Sequence, residues 1–242
     1  MKIIEKLAAK ATGGGLYNCP IPTIAFLGDS VTQGCFEAYR SDEKCIDTVF
    51  EREHAYHTYL AQILASVFPK APLNIINAGI SGDSTDGALK RLERDVLCHN
   101  PDLTVVCFGL NDCNRGIDNV ENYAANLHTI FQRLKAAGGE VIFMTPNMMN
   151  THVDYRVQDD ILLGIAKCTM QNQNEGVMDA YMNAARAVAD DCGVPVCDVY
   201  AKWKRLSELN VNTTALLSNY INHPKREMNY LFAYSLFDTL LS

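Results

Sequence analysis

The 242-residue sequence has no C-x-x-C pair, although it carries nine cysteines, at positions 19, 35, 45, 98, 107, 113, 168, 192 and 197. An odd number without paired spacing argues against a disulfide framework. Free thiols in a reducing cytoplasm fit better, several of them inside strand-like runs (Cys107, Cys197). No apolar stretch approaches the ~20 residues of a membrane span. The opening MKIIEKLAAKATGGG is interrupted by Lys2, Glu5, Lys6 and Lys10, so it lacks the apolar region of a secretory signal, and a cytoplasmic location is expected. Positive charge is short: 21 Lys and Arg stand against 28 Asp and Glu, a formal net charge of −7. That excludes the phosphate-tracking surface a nucleic-acid partner requires. Internal repeats, low-complexity tracts and linkers are missing too.

What remains is ordinary globular composition, 48% hydrophobic and 20% charged, long enough for one α/β domain with a sizeable core. Strand-like runs TIAFLG (23–28), LNIINAG (73–79), LTVVCFG (103–109), EVIFMTP (140–146) and VPVCDVY (194–200) alternate with helical stretches at Tyr56–Phe68, Asp86–Cys98, Asn119–Ala137, Glu175–Cys192 and Glu227–Leu241. This alternation predicts an α/β fold: a doubly wound parallel sheet with helices on both faces, over 21–242, preceded by an N-terminal extension at 1–20. Two connections, Cys35–His54 and Asn147–Asn174, exceed simple links, and extra length at the carboxyl ends of parallel strands usually builds a binding site.

Three strand exits carry polar residues suited to acyl transfer: Gly28-Asp29-Ser30, Gly79-Ile80-Ser81-Gly82 and Gly109-Leu110-Asn111-Asp112. Asn222-His223-Pro224 follows far downstream. Acyl transfer needs a nucleophile, a base to deprotonate it and donors for the oxyanion, and these segments supply each part. Ordinary roles compete: Ser30 in a turn, Asn111 as a cap, His223 at the surface.

With GDSV, NAGISG, GLND and NHP in this order, the sequence resembles the SGNH/GDSL hydrolase family across about 20 to 235. The resemblance implies a flavodoxin-like fold and hydrolysis of esters, often acetyl groups on carbohydrates or short-chain acyl esters, without cofactor or metal. Position by position it implies Ser30 as nucleophile and, through its N–H, oxyanion donor. It implies Gly79 and the Asn111 side chain as the other donors, and His223 as base. The family's usual Asp-x-x-His would put a carboxylate at position 220, where this sequence has Tyr220. A Ser–His dyad is therefore expected, with His223 Nδ1–H oriented by a backbone carbonyl or by Asn219. Asp198 is the carboxylate to test for a rerouted triad, although capping of a helix starting near Tyr200 is its favoured reading.

Other features are weaker. His54 and His57 share a helical face but no third ligand is placed beside them. Gly13-Gly14-Gly15 lacks the context of a phosphate loop and reads as a flexible joint. Met148, Met149 and Tyr155 are candidates to line an acyl or alcohol pocket, and Tyr200 and Trp203 read as packing. The expected partner is a small-molecule or carbohydrate ester. Alternatives are a lysophospholipase or thioesterase of the same family, an idle glycan-binding domain favoured by Tyr220, and a flavodoxin-like cofactor carrier on fold grounds.

Overall fold

A computed structural model describes residues 1–13 and 20–242. Gly14, Gly15 and Cys19 lie outside the described residues, and with them most of the glycine run read as a joint. Among the described residues seven strands form: β1 (Thr23–Gly28), β2 (Cys35–Arg40), β3 (Ile46–Phe50), β4 (Asn74–Gly79), β5 (Leu103–Cys107), β6 (Glu140–Met144) and β7 (Val196–Cys197). β1, β4, β5, β6 and β7 make one parallel sheet in the order β4-β1-β5-β6-β7. Counting only these five, the order is 2-1-3-4-5, the flavodoxin-like winding. β1 lies inside the sheet, between β4 and β5, and its run Ile24–Leu27 is apolar. From Ile24 to Leu27 both faces are fully buried, as a strand covered by helices on both sides demands.

The winding reverses at β1, and right-handed crossovers then send helices to opposite faces. On one face α3 (Tyr56–Val67) packs against α9 (Asn229–Leu241), with Tyr56 stacked on Phe232 and Tyr59 on Tyr230. On the other, α4 (Thr85–Asp95), α5 (Val120–Ala136) and α7 (Val177–Asp191) pack in turn, with Tyr123 against Tyr181. Along α5 the buried positions Tyr123, Asn126, Leu127, Ile130, Phe131 and Leu134 recur at three- and four-residue spacing, the signature of one helical face. The segment read as an N-terminal extension carries α1 (Lys2–Ala11), whose Ile3 and Leu7 are buried in the same core.

Three local expectations need correction. Cys35–His54 is not a bare loop but contains the antiparallel hairpin β2–β3. Asn147–Asn174 contains α6 (Asp160–Asn174), capped by Asp159. Its buried face is Ala166, Thr169 and Gln173, too polar to read as a helix stripe. The run 194–200 keeps only two strand residues. Asp198 takes the Ala201 N–H and starts α8 (Val199–Glu208) instead, so the cap wins over the β-branched composition.

Candidate active site

Ser30 opens the single turn α2 (Ser30–Gln33) directly after β1. Asp29 caps that turn by accepting the Val31 N–H at 3.0 Å. As the first residue of the turn, Ser30 has no intrahelical acceptor for its own N–H. The exits of β1, β4 and β5 sit side by side where the winding reverses, the usual place for a crevice in such a sheet. The buried Arg91 of α4 ties two of them together. It donates to the Gly28 carbonyl (3.0 Å), the Ala78 carbonyl (2.7 Å) and the Asp83 carboxylate (2.7 Å). Sequence reading missed this arginine, because nothing in a lone charge on a helix marks it as buried.

His223 reaches Ser30 across 193 positions of chain, its Nε2 2.9 Å from Ser30 Oγ. Its other nitrogen, Nδ1, lies 2.7 Å from the backbone carbonyl of Phe36. A carbonyl can only accept, so Nδ1 bears the proton; in the neutral ring Nε2 is then the acceptor and Ser30 the donor. Both residues are nearly enclosed, at 4% and 5% exposure. Burial pushes the His223 pKa below its ordinary value, while the Phe36 hydrogen bond and the charge of Glu37 push the other way.

Neither side chain expected to orient His223 does so. Asn219 Oδ1 instead accepts the backbone N–H groups of Ile221, Asn222 and His223 at 2.9 to 3.0 Å, folding the turn that presents the histidine. Asp198 is engaged by Arg186, the Thr145 hydroxyl and the Ala201 N–H at the start of α8. Tyr220 adopts a left-handed backbone (φ 57°), and its ring lies beneath the Arg156 guanidinium at 4.0 Å.

Gly79 also departs from expectation, since its N–H already donates to Asn77 Oδ1 at 3.0 Å. A side chain there would strike the backbone of Gln33, with a Cβ only 2.3 Å from its nitrogen, so this glycine lets α2 pack on the end of β4. Three residues on, Gly82 (φ 76°) has an N–H without a protein acceptor among the described residues. It is strung between Ser81, whose N–H bonds Gln33 Oε1 in α2, and Asp83, whose carbonyl takes one Asn111 Nδ2 hydrogen at 2.9 Å. That bond fixes the Asn111 amide and leaves its second N–H free.

Two buried acids flank the site residues in sequence, Asp29 before Ser30 and Asp112 after Asn111. Asp29 has one oxygen without a partner, and burial drives its carboxyl up to about 7, assisted by the charges of Asp112 and Asp83. Asp112 accepts from the Thr85 N–H and hydroxyl, and burial raises its pKa too. His57 and His54 do not converge. His57 is buried against the Thr32 carbonyl with its pKa lowered to about 4 by burial, and His54 bonds the Tyr59 hydroxyl. Among the described residues no three metal-ligating side chains cluster. Met148 and Met149 are buried, Tyr155 is 80% exposed, and Trp203 and Tyr200 are packed inside.

Residues 26–229 match the model of the GDSL-like lipase/acylhydrolase family. An acetylxylan esterase of Geobacillus stearothermophilus is 28% identical over 132 residues, 51% of this chain and 58% of that one. The human isoamyl acetate-hydrolyzing esterase 1 homolog is 24% identical over 226 residues, 88% of this chain and 79% of that one. Among solved structures, that of Axe2, an acetylxylan esterase from Geobacillus stearothermophilus, superposes with a TM-score of 0.67 at 22% identity, covering 90% of this chain and 94% of its own. At that identity the likeness concerns the fold.

Proposed function

The chain belongs to the GDSL-like lipase/acylhydrolase family, a family of carboxylic ester hydrolases, and from that premise we propose that it is a serine esterase working through a Ser30–His223 dyad. The observation that carries the reading is the two-ended anchoring of His223, with Nδ1 on the Phe36 carbonyl and Nε2 facing Ser30 Oγ. The carbonyl selects the tautomer in which Nε2 can take the serine proton, which is half of what a triad acid does. Ser30 attacks the ester carbonyl as Nε2 accepts its proton. The same proton then passes to the departing alcohol, leaving an acyl-enzyme that water releases. The oxyanion meets the N–H of Ser30, the N–H of Gly82 and the free Nδ2 hydrogen of Asn111. Gly82 thus takes the role that sequence reading gave to Gly79.

A short acyl group is the reading we favour, because the curated relatives include an acetylxylan esterase and an isoamyl acetate-hydrolyzing esterase homolog. A carbohydrate is the leading candidate for the alcohol. The described residues contain no helix long and apolar enough to cross a membrane. An idle glycan-binding domain is the second reading, favoured by Tyr220 at the position of the family's acid.

The deciding experiment is covalent labelling with a fluorophosphonate beside nitrophenyl acetate hydrolysis. Wild type should react in both, and Ser30→Ala, folded by circular dichroism, in neither. Labelling that persists in Ser30→Ala would move the nucleophile elsewhere, and an unreactive wild type would favour the idle domain. Acetate release from acetylated xylose oligomers, against turnover of a lysophospholipid and an acyl thioester, separates the substrate classes.

A further inference from the structure

Replacing a triad carboxylate with a backbone carbonyl creates a mechanical problem. A carboxylate three residues before the histidine would ride on the same turn. The Phe36 carbonyl instead arrives on a separate hairpin, β2–β3, outside the main sheet. The pairing register of that hairpin slips between Cys35 and Ala38, which spares the Phe36 carbonyl from the ladder and lets it face His223. A lone two-stranded hairpin is marginal in water, so something else must fix the position of this oxygen.

Arg226, three residues beyond His223 on the same segment, makes that connection. Its guanidinium forks onto Glu37 of β2 (2.7 and 3.0 Å) and onto Glu51 just after β3 (2.7 and 2.6 Å). It also lies over the Phe36 ring, 4.5 Å from the centroid. Four charge-assisted bonds in two bidentate pairs, with a ring beneath, constrain orientation as well as distance. Both glutamates are held below their ordinary pKa by this arginine, so both pairs are charged at neutral pH.

We propose that Arg226 is a positioning residue for His223, clamping the β2–β3 hairpin so that the Phe36 carbonyl holds the Nδ1–H. The clamp joins the histidine segment to β2 and to the residue that follows β3, so histidine and acceptor move as one body. It also keeps the Glu37 carboxylate near the ring, where its charge favours the imidazolium formed during turnover. The charge that acts on His223 is that of Glu37, and Arg226 on the histidine's own segment holds Glu37 together with Glu51. This inference rests on the esterase reading for its kinetic arm only.

The test is Arg226→Met, which keeps an apolar stem over Phe36 and removes both ion pairs. Proton NMR should show a hydrogen-bonded His223 Nδ1–H in wild type, well downfield and protected, assigned by its loss in His223→Gln. In Arg226→Met that resonance should move upfield or broaden by exchange. Nitrophenyl acetate kcat should fall about tenfold, with KM within about twofold, because ring orientation matters mainly in the transition state. An unchanged resonance and kcat in a folded Arg226→Met protein would overturn the proposal. If that variant does not fold, the double variant Glu37→Gln, Glu51→Gln answers by the same two readouts. If wild type hydrolyses no ester, the function fails and the resonance alone decides the positioning role.

Discussion

Asp29 stands next to the proposed nucleophile, and burial raises its carboxyl from 3.8 to about 7. Between those two values the folded protein binds a proton that the unfolded chain has released, so stability falls as pH rises. The penalty is nearly absent at and below pH 3.8 and complete above about 7. From pH 5 to pH 8 the linkage relation gives a loss of about 2 to 3 kcal/mol from this group alone. The group is fully enclosed, so no discount for solvent screening applies. Asp29→Asn keeps the Oδ1 acceptor for Val31 and removes the titration, while its new amide hydrogens cost about 1–3 kcal/mol at every pH if they find no partner. Urea unfolding at pH 5, 6.5 and 8 should therefore show the variant gaining on wild type by about 2 to 3 kcal/mol across the range, whatever its offset. His57 and His223, whose lowered pKa values make stability rise with pH up to about 6.5, contribute equally to both proteins and cancel in the difference. Parallel curves for the two proteins would refute a buried, raised Asp29.

Asn111→Ala should lower kcat by about 10²–10³ with a smaller change in KM, measured on nitrophenyl acetate, because a donor held by the Asp83 carbonyl meets charge that develops only in the transition state. A change in KM alone would make Asn111 a binding residue. The activity limb assigned to His223 should lie below 6.5, since burial outweighs the Phe36 bond and the Glu37 charge; kcat/KM rises with pH through it as the base becomes neutral. A limb well above 7 in the pH–rate profile would mean that a carboxylate supports the histidine after all.

Much of the architecture was legible because it is periodic. TIAFLG and LTVVC are short apolar runs that only a sheet covered on both faces can bury, and the three- and four-residue spacing of α5 admits one face. Ser30, Asn111 and His223 could be nominated from the sequence only as a set: each has ordinary competing uses, but Ser30 and Asn111 stand just past apolar strand runs and His223 before the last helix. The family resemblance then ordered them. Local patterning by itself determined the sheet, its helices and the chemical types gathered at its carboxyl edge.

Tertiary structure decided everything that depends on an atom meeting another far away in sequence. A backbone carbonyl has no side-chain identity, so no pattern could mark Phe36 as the acceptor for His223, 187 positions distant. Gly79 and Gly82 look interchangeable in NAGISG until Asn77 is seen to occupy one N–H and leave the other. Asn219 could be read as the orienting group because its oxygen is uncommitted in one dimension, whereas in three it is saturated by three backbone donors. Hydrogen bonding is short-ranged and directional, so which donor is free is a property of the fold, while which donors exist is a property of the sequence.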